Sequence, residues 1–234
     1  MKKSFLFLLI GITFIGYSQS DLTGSIKADI IQKEEIGYVL HIPAAIKTKK
    51  PLLVFLHGDG EKGNDIEKVK IHGPFNYLKT HELDAYILAP QCRENQLWNA
   101  EIIYQLILKI SKENNIDTNR IYVTGLSSGG WATWDLGFAH PEMFAALVPI
   151  ASFTDLLRED EACKLKNIPI RMFHGVLDDV VPMSYPVSIY KAVKACGGSI
   201  TLTFFDDANH NSWSRVYDNP ELYEWLFKQQ KNQM

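Results

Sequence analysis

Short, continuous apolar runs recur along the chain, set apart by segments of helical periodicity. They lie at 52–56, 85–89, 121–124, 146–151, 168–173 and 200–205, and a loosely alternating stretch at 37–42 precedes them and ends at Pro43. A strand with one wet face alternates apolar and polar residues. Unbroken runs of this length suit strands covered on both faces, as in a parallel sheet. Between them, Ile102, Ile103, Leu106, Ile107 and Ile110 mark one apolar helix face, and Trp131, Trp134 and Phe138 another. Ile189, Val193 and Cys196 mark a third helix, ended by Gly197-Gly198, and Leu222, Trp225 and Leu226 a last one after Pro220. The alternation predicts a single α/β domain, its mostly parallel sheet carrying helices on both faces. No repeat, low-complexity linker or second-domain boundary interrupts it.

The N terminus stands apart from this pattern. Met1-Lys2-Lys3 is basic, residues 5–15 are almost wholly apolar, and small residues around 16–20 offer a cleavage site. This reads as a signal peptide at 1–20, with the folded domain at 21–234 and a secreted or periplasmic location. The apolar stretch is too short to span a bilayer comfortably, so no stable membrane span is expected after its removal. Net charge is −3 and no basic patch occurs, which argues against a nucleic-acid partner. Three cysteines, Cys92, Cys163 and Cys196, with no CxxC, exclude a dense disulfide framework. One bridge with a free thiol, or three buried thiols, both fit.

The run at 121–124 leads directly into Gly125-Leu126-Ser127-Ser128-Gly129-Gly130, and a helical pattern follows. Strand, Gly-x-Ser-x-Gly and helix together form the context of a nucleophile elbow. A serine hydroxyl is a weak nucleophile until a base takes its proton. A sharp strand-to-helix turn would lift Ser127 clear of the sheet to where a base can reach it. Such a turn crowds the positions two before and two after the serine, where Gly125 and Gly129 carry no side chain.

Where such an elbow occurs, the acid and then the histidine follow in the chain. Downstream of Ser127 lie His140, His174 and His210. His140 precedes Pro141 at a helix end and suits the helix dipole. His174 precedes Gly175 at a strand end and shapes a turn. His210 lies in a loop after the last strand, able to swing its imidazole over the elbow, and is the expected base. The orienting acid should follow the preceding strand, where Asp178 and Asp179 are adjacent candidates whose side chains point in different directions. Two backbone N–H groups should stabilise the oxyanion. One belongs to Ser128, and the other to the loop after 52–56, assigned to Asp59 with Gly60 as the alternative.

Several motifs now occur in order: His57-Gly58-Asp59-Gly60-Glu61-Lys62-Gly63-Asn64-Asp65, His72-Gly73-Pro74, Ala89-Pro90-Gln91-Cys92, the elbow with Trp131-Ala132-Thr133-Trp134-Asp135-Leu136, His174-Gly175-x-x-Asp178-x-x-Val181-Pro182 and His210-Asn211-Ser212-Trp213. Over 37–227 the chain resembles the α/β-hydrolase branch that contains polyhydroxybutyrate-depolymerase-like esterases, feruloyl and acetyl-xylan esterase relatives, and predicted peptidase/phospholipase-carboxylesterase proteins. The resemblance implies a triad of Ser127, Asp178 and His210, and favours Asp178 over Asp179. It implies an esterase forming an acyl-enzyme, with no cofactor. Asp59 stands where that branch has a small residue, and Ser128 where methionine is frequent.

Only residues 152–167 join the runs at 146–151 and 168–173, too few for a helical cap. No lid domain is expected. An open site suits a bulky, polymeric or carbohydrate-linked ester. Trp98 and Trp213 lie in loops near the motifs and are candidates for binding a sugar or phenolic group, while Trp131 is expected to pack. Glu61 with Lys62 either pins the oxyanion loop by charge contacts or forms an exposed pair. Gly58-Asp59-Gly60-Glu61-Lys62-Gly63 matches G-x-G-x-x-G, but the polar residues after it open no clear helix for a dinucleotide. No zinc or calcium motif is complete, so no metal is expected. A peptidase, an acyltransferase and a non-catalytic binding protein on the same scaffold are the competing readings.

Overall fold

The computed structural model describes residues 35–44 and 46–231, so the predicted leader at 1–20 lies outside the described residues. Among the described residues seven strands form one sheet: β1 (Tyr38–His41), β2 (Lys50–Leu56), β3 (Tyr86–Pro90), β4 (Ile116–Leu126), β5 (Ala146–Ile150), β6 (Ile170–Gly175) and β7 (Ile200–Phe205). Their order is β1-β3-β2-β4-β5-β6-β7. Only β1 against β3 is antiparallel; the other pairs are parallel. The expected single α/β domain with a mostly parallel sheet is what the chain forms.

The unbroken apolar runs are explained by what covers them. Along β2, Leu52, Val54 and Leu56 enter one core and Leu53 and Phe55 the other, all at 0% exposure. Three helices pack on the first face: α2 (Ala100–Glu113) with Ile103 and Ile107, α3 (Ser128–Ala139) with Leu136 and Phe138, and α4 (Ser184–Ala195) with Ile189 and Val193. Three shorter ones cover the second: α1 (Gly73–Tyr77), α5 (Trp213–Tyr217) and α6 (Pro220–Lys228), with Phe75, Val216 and Leu226 in that core. Truncating one such buried Leu or Ile to Ala costs about 2–5 kcal/mol. Among the described residues no helix is long and apolar enough to cross a membrane.

Some boundaries differ from the sequence reading. β4 starts at Ile116, ahead of the apolar run, because Ile116 pairs with Lys50 of β2; the polar, partly exposed residues that follow, with Asp117 and Arg120 paired at 2.7 Å, hide this half in the sequence. The short helices α1 and α5 have too few residues to show a period. The link at 152–167 folds as a 3-10 helix, Leu156–Leu165, with Ala162 and Leu165 in the first core. A disulfide between Cys163 and Cys196 ties it to the end of α4, and Cys92 is free and buried. Closing a loop of this separation, 33 residues, is worth roughly 3–4 kcal/mol in the chain-entropy account.

The topology also creates a crevice. After β2 the chain crosses to β3 on one side, and after β4 it crosses to β5 on the other. The loops leaving the carboxyl ends of β2 and β4 therefore part from each other. Ligand sites of open α/β sheets form at such switch points.

Candidate active site

Ser127 stands at the carboxyl end of β4, between that strand and α3, with φ 53° and ψ −120°. A left-handed backbone is strained for a residue with a side chain and persists only where surroundings enforce it. Here Ser127 N–H donates to the Ile150 carbonyl at 3.0 Å, and Trp131 N–H donates to the Ser127 carbonyl at 3.0 Å. Gly129 is obligatory for packing: a Cβ there would collide with the Leu56 and His57 carbonyl oxygens of the neighbouring strand end.

The structure brings Ser127, His210 and Asp178 together from three strand ends. His210 Nε2 lies 3.0 Å from Ser127 Oγ. His210 Nδ1 lies 2.9 and 3.0 Å from the two oxygens of Asp178. The Asp178 side chain is fully buried, and its Oδ1 also accepts from the Val180 and Val181 N–H groups at 3.0 and 2.8 Å. Asp179 is exposed on the same turn. Gly175 lets the two loops meet, since a Cβ there would strike the Ala208 and Asn209 carbonyls. Leu177 N–H donates to the Ala208 carbonyl at 2.9 Å and joins them. Buried His174 sits behind the acid, its Nε2 2.9 Å from the Val181 carbonyl and 3.3 Å from Asp178 Oδ2. His140 is remote, stacked on Tyr104 at the end of α3.

The loop after β2 runs past the elbow as a 3-10 turn, Asp59–Glu61. Gly58 N–H is already used, donating to Glu61 Oε2 at 3.0 Å. Asp59 is therefore the first residue of the loop whose N–H can face a ligand, and Ser128 opens α3 beside it. Gly60 is exposed. Glu61 is buried and holds the turn, while the Lys62 ammonium pairs with Asp59 at 2.7 Å. His57 was legible only as part of a motif, yet it anchors the whole loop. It is fully buried, its Nδ1 is 2.7 Å from the Gly58 carbonyl, and its Nε2 accepts from Cys92 N–H at 3.0 Å. One ring nitrogen donates and the other accepts, so the ring is neutral.

Burial is the main reason the His57 pKa falls to about 4, against 6.5 when free; its hydrogen bond to the Gly58 carbonyl opposes the fall only in part. The unfolded chain then binds the proton more tightly than the fold does. The stabilisation is whole above pH 6.5 and is lost as pH falls toward 4, amounting to roughly 3 kcal/mol. Urea midpoints measured from pH 7.5 to 4 should fall steeply through this window. The His57→Gln variant should be less stable at pH 7.5 and show a shallower fall. Parallel curves for the two proteins would contradict the assignment.

A family model described as phospholipase/carboxylesterase matches residues 84–219, a stretch holding Ser127, Asp178 and His210. The chain belongs to the phospholipase/carboxylesterase family. It is 29% identical over 128 residues to poly(3-hydroxyalkanoate) depolymerase C of Paucimonas lemoignei, covering 47% of this chain and 30% of that one. It is 24% identical over 205 residues to the bifunctional acetylxylan esterase/xylanase XynS20E of Neocallimastix patriciarum, covering 84% of this chain and 29% of that one. The solved structure of a thermostable esterase superposes with a TM-score of 0.73 at 33% identity, covering 83% of this chain and 59% of that one. The chain thus spans less than two thirds of each of these relatives.

In this phospholipase/carboxylesterase-family site, Ser127 and Ser128 open onto a cleft of about 520 Å³. Trp131, Phe153, Val180 and Tyr185 supply apolar walls, with exposed Leu97 at the rim and Asp59 and Asp155 as acidic groups. Neither tryptophan expected to bind a sugar or phenolic group lines this cleft. Trp98 is 5% exposed and packs on His57 with ring centroids 4.8 Å apart, so it supports the loop after β2 from the core. Trp213 stands edge-on to His210 at 5.1 Å and is not among the residues lining this cleft. Trp131 packs against the first core, as expected, and also lines the cleft. Phe153 and Tyr185 gave no signal in the sequence, because nothing local distinguishes a cleft aromatic from a core one. Among the described residues no group of three or more His, Cys, Asp or Glu side chains is arranged to hold a metal ion.

Proposed function

We propose that the protein is an exported serine hydrolase of carboxylic esters, acting on acyl groups carried by carbohydrates or comparably bulky alcohols. The hydrogen-bonded line from Ser127 Oγ through His210 to Asp178 carries this reading. Asp178 accepts the Nδ1 proton of His210 and leaves Nε2 free as the base. His210 takes the Ser127 proton as Oγ attacks the ester carbonyl carbon. The carbonyl oxygen becomes an oxyanion, and the N–H groups of Asp59 and Ser128 donate to it. The intermediate collapses, His210 returns the proton to the departing alkoxide, and an acyl-Ser127 ester remains. Water, deprotonated by His210, attacks that ester and releases the carboxylic acid and free Ser127.

Two observations support a bulky substrate. The cleft is open, and the only chain between β5 and β6 is a short 3-10 segment bridged to α4. A relative named for acetylxylan esterase activity aligns over most of this chain. Export is supported by the basic-apolar start of the sequence and by the Cys163–Cys196 disulfide, which an oxidising compartment maintains.

The test is a fluorophosphonate probe followed by a substrate panel. The folded protein should be labelled, and should cleave short nitrophenyl esters and acetylated or feruloylated oligosaccharides faster than peptides. A folded protein that resists labelling would sink the mechanism. Cleavage of peptides in preference to every ester would sink the substrate class. The exported form should begin near residue 21.

A further inference from the structure

The side chain of Asp59 poses an electrostatic difficulty for the site. Its backbone N–H is assigned to the oxyanion, while its residue lines the same cleft as Ser127. A carboxylate there opposes the negative charge that develops on the substrate oxygen. Partial burial pushes the Asp59 carboxyl up, but the Lys62 ammonium and, after it, the neighbouring Ser128 together outweigh this, and the group lies below the ordinary carboxylate value. It is therefore ionised at neutral pH, and the charge must be met by a partner.

Lys62 is built to be that partner. Its Nζ lies 2.7 Å from Asp59 Oδ1, and its side chain is only 13% exposed, against 69% for Asp59. Most surface ion pairs join two mobile, hydrated side chains and contribute little. In this pair the cation is packed and cannot drift away. Its backbone is also fixed: Lys62 N–H donates to the Asp59 carbonyl at 3.3 Å, and the next N–H, of Gly63, donates to the Cys92 carbonyl at 3.0 Å. The one-turn 3-10 geometry sets residues 59 and 62 on the same side. No Lys or Arg is among the residues lining this cleft, whereas Asp155 adds a second carboxylate, so Lys62 acts from behind Asp59.

We propose that Lys62 is a positioning residue for ester hydrolysis, holding the Asp59 carboxylate in an ion pair that cancels its field at the oxyanion. The inference rests on the serine-hydrolase reading and on the assignment of the Asp59 N–H to the oxyanion. It explains how an acidic side chain is tolerated at a position where a small one is expected. It also gives the cleft a preference: with the pair intact and Asp155 also in the lining, neutral esters enter more readily than anionic ones.

The test is a double-mutant cycle with two substrates, nitrophenyl acetate and the anionic nitrophenyl hemisuccinate, with thermal melts confirming that each variant folds. Lys62→Met should lower kcat on the neutral ester about 10- to 100-fold with little change in KM, as an uncompensated charge near the oxyanion predicts. The loss should be larger for the anionic ester and should shrink as salt is raised. Adding Asp59→Asn to Lys62→Met should regain most of the loss, whereas a lysine that only supports the fold would leave the double variant as impaired as the single one. Wild-type kcat in Lys62→Met, or no recovery in the double variant, would overturn the proposal. Should Lys62→Met not fold, Asp59→Asn alone decides: it should raise the ratio of anionic to neutral turnover at least about threefold, and an unchanged ratio refutes the role. A wild-type protein inert to both esters and to the fluorophosphonate would instead refute the underlying hydrolase reading.

Discussion

Replacing Ser127 with alanine should lower kcat/KM on every ester by at least about 10⁴-fold and abolish fluorophosphonate labelling. The physical reason is local. In the proposed mechanism Oγ is the atom that bonds to the acyl carbon, and its hydrogen-bond partner in the fold is His210 Nε2 at 3.0 Å. The elbow itself is held by backbone bonds from Ser127 to Ile150 and from Trp131 to Ser127, which the substitution leaves in place. Tm should therefore stay close to wild type. His210→Ala should lose a similar factor, and the double variant should be little worse than either single one, because the two groups act as a unit. Retention of more than about 1% of wild-type activity in folded Ser127→Ala, far above the residual expected without a nucleophile, would rule out the acyl-enzyme route.

The second large effect separates two adjacent carboxylates. Asp178→Asn should reduce kcat about 10³- to 10⁴-fold, because an amide N–H presented to Nδ1 stabilises the tautomer whose Nε2 carries the proton and cannot act as base. Asp179→Asn should stay within about threefold of wild type, as expected for a surface substitution away from such features. The contrast rests on placement. Asp178 Oδ2 is 2.9 Å from His210 Nδ1 with its side chain fully buried, while Asp179 is exposed. Asp178→Asn should also be somewhat less stable, since a neutral amide Oδ1 accepts from the Val180 and Val181 N–H groups more weakly than the carboxylate does. Steady-state kinetics and thermal melts on both variants check this. Loss of activity in Asp179→Asn alone would reverse the assignment.

Much of this architecture is legible in the chain because parallel strands buried on both faces leave an unmistakable trace. Leu52 to Leu56 point alternately into two cores, so every position is apolar. The elbow is legible for a related reason: a strained serine between crowded strand ends demands glycine at 125 and 129, and the sequence supplies both. Other features are local in neither pattern nor composition. Whether Cys163 meets Cys196, and which cysteine is left over, depends on how the link after β5 lies against α4. Trp98 and Trp213 sit beside motifs in the chain, yet one props His57 from the core and the other backs His210. Glu61 reads equally as a pin of the loop after β2 or as half of an exposed pair with Lys62, and only the fold shows it turned inward to hold Gly58 N–H.

The amino-acid order alone was enough for the fold class, the candidate nucleophile and the set of its candidate partners, because periodicity and steric demand at a tight turn are properties of neighbouring residues. Which aspartate meets His210, which N–H groups remain free for an oxyanion and which aromatics wall the cleft depend on loops from β2, β4, β6 and β7 converging at one sheet edge. Those contacts join residues dozens of positions apart. Their geometry is set by packing of the whole sheet against its helices, and no short stretch of sequence encodes it.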